Sequence, residues 1–298
     1  MTTDVQRLTV VTEDDAARRL RRRIWSVAAH VLLVGASILM LYPLLWLLAA
    51  SFRPENEIFT SGISVLPSAN WSLDSYFRGW NGLQVSFGTF FLNSFIVSIL
   101  SVIGNVAACS LAAYAFARLE FAGRKFWFAM MLMTLMLPYQ VTLIPQYVLF
   151  LNLGWVNTFL PLIVPKFLAA DAFFIFLMVQ FFRGIPRELD EAARMDGAGP
   201  WRIYWKIILP LSTPVLATAA IFTFIWTWDD FFGPLIYLSE LRDYTVMLGL
   251  RTFTDSTGQS DFGGMFAMSV LSLIPIFLFF LFFQRLLIEG IATTGMKR

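Results

Sequence analysis

Long apolar runs alternate with short polar segments along this chain, and the runs lack the period-two alternation of half-buried strands. At about 20 residues per bilayer crossing, six runs qualify: residues 24–50, 90–117, 126–150, 160–182, 207–228 and 265–283. Continuous apolarity predicts spanning helices rather than a barrel, because a helix satisfies its own backbone hydrogen bonds inside lipid. The predicted fold is therefore all-α: a polytopic membrane protein with six transmembrane helices over residues 24–288, flanked by polar tails at 1–23 and 289–298. The first tail is expected to be disordered or to lie on the membrane surface. One polar stretch breaks the pattern, Glu191 to Pro210, reading EAARMDGAGPWRIYWKIILP between the fourth and fifth runs.

Composition supports a membrane setting. The chain is 58% hydrophobic and 14% charged, where a soluble domain carries about 25% charge. Its 31 Phe and 10 Trp suit lipid-facing walls and interfacial belts. A net charge of +2 argues against a nucleic-acid partner. Cys109 is the only cysteine and His30 the only histidine, so an internal disulfide is impossible and a metal site is not expected.

Basic residues orient the runs. Six arginines lie before the first run, three basic residues after the second, five around the polar stretch and three after the sixth, against five in all the alternate loops. Both termini and the polar stretch are thus expected in the cytoplasm. Arg21 to Arg23 before an apolar run resemble a signal peptide, but the run exceeds a signal h-region of about 7 to 15 residues and reads as an uncleaved span. The outer loop at 51–89 suits a plain connector or a partner-binding segment equally, and the Gly-, Ser- and Asp-rich stretch from Asp255 to Gly264 reads as a flexible turn.

The polar stretch predicts a helix, a bend and a second helix over residues 187–210. Pro186 opens a helix over 187–198, on which Arg187 with Glu191 and Asp190 with Arg194 are spaced to pair. Gly199-Pro200 breaks it. Trp201 to Leu209 form an amphipathic helix suited to the interface, and Pro210 opens the fifth span. Ala192 and Ala193 let a partner surface approach closely. By shape alone an ordinary cytoplasmic hairpin fits equally well.

The stretch also resembles the EAA loop of ABC import permeases, whose pattern is Glu-Ala-Ala, three residues, Gly, nine residues, Ile-x-Leu-Pro. Glu191-Ala192-Ala193, Gly197 and Ile207-x-Leu209-Pro210 match every fixed position. Ser51-Phe52-Arg53-Pro54, Leu92-Asn93-Ser94, Leu137-Pro138-Tyr139-Gln140, Leu143-Ile144-Pro145, Leu153-Gly154 with Asn157-Thr158, and Gln284-Arg285 with Gly290 resemble segments of maltose-type carbohydrate permeases, so the likeness covers nearly the whole chain. It departs from them at Trp228-Asp229-Asp230, where the family often has Trp-Asn and an acid. The resemblance implies a bacterial inner-membrane subunit that imports an oligosaccharide or polyol by alternating access. It also implies a homologous second permease, two ABC ATPase subunits that use ATP and Mg, and an extracytoplasmic sugar-binding protein. It makes Glu191, Ala192, Ala193, Gly197, Leu209 and Pro210 the ATPase-coupling residues. None of the four lysines follows a glycine, so the chain has no Gly-Lys-Ser/Thr phosphate loop; catalytic residues are not expected here.

Solute-pathway candidates are the polar and aromatic residues in or near spans: Tyr139, Gln140, Gln146, Asp171, Trp228 and Asp229, with Lys166 and Asp230 beside them. An ionisable residue in a span costs ~3 kcal/mol or more to insert, which makes function the default reading. Asp171 suits a pathway or a helix-packing role equally. Counting ~1.5 Å per residue from Ile207 puts Asp229 about 33 Å along its helix, so headgroup contact is the favoured reading for Asp229 and Asp230. Pro138 and Pro145 are expected to kink the third span. The rivals are a self-contained secondary transporter, which needs inverted repeats and buried coupling acids, and a membrane enzyme, which needs clustered catalytic groups. The chain shows no clear repeat and few deep acids.

Overall fold

The computed structural model describes residues 3–60, 62, 64, 65, 70–254 and 260–295. Pro67 of the first long loop, residues 255–259 of the expected turn, and Lys297 and Arg298 lie outside them. The described residues form helices α1 (Thr3–Ser51), α2 (Asp74–Asn81), α3 (Phe87–Arg118), α4 (Arg124–Thr134) and α5 (Tyr139–Asn152). These are followed by α6 (Leu160–Ile163, continued by a 3-10 turn, Val164–Leu168), α7 (Ala172–Gly184) and α8 (Glu188–Met195). Next comes α9, built from an α-turn (Pro200–Ile203), a π-turn (Tyr204–Ile208) and Leu209–Leu211, and then α10 (Thr213–Trp228) and α11 (Phe262–Gly295). Among the described residues, four stretches are long and apolar enough to cross a membrane, and two bent pairs bring the number to six if each pair is one span.

Helix α3 is the central post. Its buried face is rich in small and polar residues, Ser94, Ser98, Ser101, Gly104, Asn105, Cys109, Ala113 and Ala117, which lets neighbouring helices approach closely where lipid supplies no hydrophobic drive. It packs chiefly against α7 and α10 and against the 3-10 turn after α6. Asn105 Nδ2 donates to Thr223 Oγ1 at 2.7 Å, tying α3 to α10. Two apolar cores share this post. One gathers Cys109, Ala113 and Tyr114 with Phe174, Met178, Phe182, Tyr204 and Ile208. The other gathers Phe87 and Phe90 with Phe224, Trp228, Val246 and Met268.

Three spans depart from the expected continuous helices. The third is bent by 99° between α4 and α5, because Pro138 takes an extended conformation as the N-cap of α5 and drives Leu137 out of the helical region. The fourth is interrupted at Ala169–Asp171, with Ala169 left-handed at φ 53°. The fifth does not begin at Ile207 or open on Pro210. A 76° bend at Ser212 separates α9 from α10, so the straight span starts at Thr213. The reason is the Pro210–Pro214 spacing: Pro214 has no N–H for the Pro210 carbonyl and its ring crowds it. The Thr213 hydroxyl donates to that carbonyl instead, at 2.7 Å.

Two peripheral readings also change. Helix α1 continues unbroken from Thr3 through Ser51, so the arginine-rich tail and the first span are one helix, packed against α11. Gly263 and Gly264 lie in the first turn of α11, not in a flexible turn. In the loop after α1, Phe52 stacks on Trp71 at 5.0 Å.

Candidate functional site

The polar stretch folds as an elbow of two helical arms, α8 and α9, held against α3. Helix α8 carries Glu188, Asp190 and Glu191 in its first turn, where acids complement the exposed N–H groups of a helix start. It ends in a Schellman motif: Gly197 N–H donates to the Arg194 carbonyl at 3.0 Å and Ala198 N–H to the Ala193 carbonyl at 2.9 Å. That closure needs a left-handed residue at its turning point, and Gly197 supplies it with φ 79°. Glu191, Ala192, Met195 and Gly197 face outward, Met195 with 88% of its surface free. Ala193 and Leu209 turn inward against the first core. Pro210 is exposed just before the Ser212 bend.

Helix α3 seats both arms of the elbow through residues spaced four apart. Ser110 Oγ and Tyr204 Oη share a hydrogen bond of 2.8 Å, and Tyr114 Oη donates to the Pro200 carbonyl at 2.8 Å. Arg118 Nη2 donates to the Phe182 and Ile185 carbonyls at 2.6 and 2.7 Å, while its Nη1 stands 3.3 Å from Asp190 Oδ2. Both side chains of that pair are almost fully buried, at 2% and 7% exposure. Among the described residues, Asp190 therefore pairs with Arg118 and not with Arg194, and no Arg187–Glu191 pair forms. The partner of Asp190 arrives from α3, outside the helix whose spacing would pair it with Arg194. Glu191 instead borders a cleft of about 190 Å³ together with Arg118, Arg187, Asp190 and Arg194.

Two of the helix breaks, in the third and fourth spans, meet the far end of the fifth span at a cavity of about 860 Å³. Thr134, Leu135 and Leu137 come from the first break, Ala170 and Asp171 from the second, and Asp230 and Gly233 from the end of the fifth span. Tyr139, Thr142, Gln146, Trp226 and Tyr237 add polar and aromatic wall. Non-helical backbone inside an apolar bundle is tolerated where it lines a cavity, and broken helices build the binding sites of many transporters. Lys166 Nζ donates to Asp171 Oδ2 at 2.8 Å on this wall. Asp230 Oδ1 accepts the Gly233 N–H at 3.0 Å.

The expected pathway residues divide here. Tyr139, Gln146 and Asp171 line the cavity. Gln140 is exposed and lies outside the lining. Trp228 is a core residue and not a wall of the cavity: it is fully buried, stacks on Phe224, and its Nε1 donates to the Ser272 carbonyl at 3.1 Å. Asp229 is exposed where α10 ends, outside the lining. With the span starting at Thr213, its 16 residues place Asp229 about 24 Å along the helix, not about 33 Å.

Residues 104–293, which include the whole elbow, match the family described as binding-protein-dependent transport system inner membrane component. The chain belongs to this family. The permease is 33% identical over 282 residues to the arabinooligosaccharides transport system permease protein AraQ of Halalkalibacterium halodurans, covering 93% of the chain and 100% of that protein. It is 32% identical over 277 residues to the diacetylchitobiose uptake system permease protein NgcG of Streptomyces coelicolor (93% and 90% covered). It is 31% identical over 274 residues to the sn-glycerol-3-phosphate transport system permease protein UgpE of Yersinia pestis (91% and 97% covered). A chain from the crystal structure of a bacterial ABC transporter involved in the import of the acidic polysaccharide alginate superposes with a TM-score of 0.78, covering 88% of this chain and 96% of that one. At 24% identity that likeness speaks to the fold. The permease is thus a membrane-spanning subunit of an ABC importer, and the reading as a self-contained secondary transporter gives way.

Sequence reasoning missed Ser110, Tyr114 and Arg118 in the permease because they sit at the end of an apolar run, far along the chain from the elbow. Their spacing of four was the available signal: it places a polar ladder on one helix face. Asp230, a pathway candidate for which a count from Ile207 favours headgroup contact, lines the cavity, because its straight helix starts only at Thr213.

Proposed function

We propose that this permease carries a carbohydrate, an oligosaccharide or related polyol, through the cavity where its three broken spans meet. The reading pairs it with a homologous second permease, two ATP-binding subunits and an extracytoplasmic sugar-binding protein. ATP and Mg are used in the ATPase subunits; this chain holds the coupling surface and no catalytic residue. Both termini and the elbow face the cytoplasm, on the side favoured by the arginine distribution.

The observation that carries the reading is the elbow, a preformed convex edge with Glu191, Ala192, Met195 and Gly197 outward and its inner side fixed to α3. Such an edge suits insertion into a cleft of a moving partner. Small residues at the contact allow close approach, and a seated base passes displacement on to the spans. The cavity suits a polyhydroxylated solute, since Tyr139, Thr142, Gln146, Asp171 and Asp230 offer hydrogen-bond partners beside the Trp226 ring.

Uptake of labelled neutral oligosaccharides into proteoliposomes containing both permeases, the ATPases and the binding protein tests it. Uptake is expected to require ATP and the ATPases, and Glu191→Lys is expected to abolish it while leaving the permease folded. Solute movement by the purified chain alone would overturn the reading.

A further inference from the structure

Arg118 joins three helices at one point. It belongs to the last turn of α3, donates to the Phe182 and Ile185 carbonyls at the end of α7, and faces the Asp190 carboxylate of α8. The two carbonyl bonds fix the guanidinium against α7, as suits a cation at the C-terminal end of a helix. The link to α8 differs in kind. It is a single contact at 3.3 Å, which limits a distance without fixing an angle. Asp190 is also the only buried residue of α8, and apart from it the helix meets the bundle through partly buried Ala193. The far parts of the other two helices reach the cavity: Val97 of α3 lines it, and so do Ala172 and Phe173, which begin α7, next to Asp171. The 13 residues of α7 make a lever of about 20 Å with the joint at one end and the cavity wall at the other.

We propose that Arg118 is a positioning residue for energy coupling: through Asp190 it makes α3 and α7 follow the elbow, so that movement of α8 reaches the solute cavity by a route separate from the covalent path through α9 and α10. This rests on the coupling role proposed above. Docking and transmission are then carried by opposite faces of α8, the outward Glu191, Ala192 and Met195 for the first and the inward Asp190 for the second.

The test uses the whole complex in proteoliposomes. A cysteine at Met195 reports docking by cross-linking to an ATPase subunit; the native Cys109 is buried and does not compete. In separate samples a cysteine at Thr142 or Gln146 reports the cavity by its labelling rate with a membrane-impermeant maleimide, with and without ATP and vanadate. In the native background, trapping is expected to change that rate by about fivefold or more, the lower end of ordinary coupling between sites. Asp190→Asn keeps size and loses charge. It is expected to preserve cross-linking and ATP hydrolysis while the change in labelling disappears, and Asp190→Glu, which restores the charge, is expected to recover it. A normal labelling change in Asp190→Asn overturns the proposal. A loss of labelling in step with a loss of cross-linking also overturns it, because the pair then only holds the elbow in shape. Absence of any cross-link in the native background refutes the docking surface itself, a different failure.

Discussion

Glu55 caps the last helix at Gly263, 208 residues later in the chain: its carboxylate accepts the Phe262 and Gly263 N–H groups, each at 2.9 Å. Asp261 caps the same turn by accepting the Gly264 N–H at 2.8 Å, and Arg78 bridges the two carboxylates at 3.4 and 3.2 Å. Free N–H groups at a helix start need acceptors, and here α11 takes one from the loop after α1. Glu55→Ala is expected to lower stability by about 1 kcal/mol, the usual loss on removing a cap. Thermal unfolding in detergent checks it, and Glu55→Ala with Arg78→Ala is expected to cost less than the sum of the single changes.

Gly197 tests the elbow through conformation alone. A side chain there meets nothing within 4 Å, so any penalty comes from φ 79°. Gly197→Ala is expected to cost about 1–2 kcal/mol and to fray the end of α8, lowering ATP-driven uptake. Gly197→Asn, better suited to the left-handed region, is expected to retain more uptake than Gly197→Ala. Equal uptake in the two variants would contradict this account.

Gly104 is held by packing. A Cβ there would run into the Phe167 ring, at the contact between α3 and the 3-10 turn beside the cavity. Gly104→Ala is expected to destabilise the permease by about 1–3 kcal/mol, the range for overfilled cores. Phe167→Leu in the same chain is expected to restore part of the loss, as read by unfolding temperature.

The cavity and its surroundings separate by substitution. Asp230→Asn is expected to lower uptake by about tenfold, near the worth of one hydrogen bond to a charged group, with the assembled complex intact. Gln140→Ala, outside the lining, is expected to leave uptake unchanged. Trp228→Ala is expected to act on stability instead, by about 3–5 kcal/mol. Uptake assays beside size-exclusion profiles distinguish the three.

Much of the molecule is written locally. The spans follow from apolar runs of sufficient length, and the elbow follows from Pro186, Gly199-Pro200 and the Glu-Ala-Ala pattern, because helix starts, stops and lipid solubility depend on neighbouring residues; α8 stops earlier than that break, at Met195, where Gly197 closes it. The bend at Ser212 was legible too, in the Pro210–Pro214 spacing, since the missing hydrogen bond lies within one turn. The partners of Asp190, Glu55 and Asp230 were not. Arg118 reaches Asp190 from another helix, Glu55 serves a helix at the other end of the chain, and Asp230 borders a cavity that exists only where three broken spans meet. Charge pairs, non-local caps and cavity walls depend on distances between segments far apart in sequence, and only tertiary packing, around α3 for Asp190 and against α11 for Glu55, sets those distances.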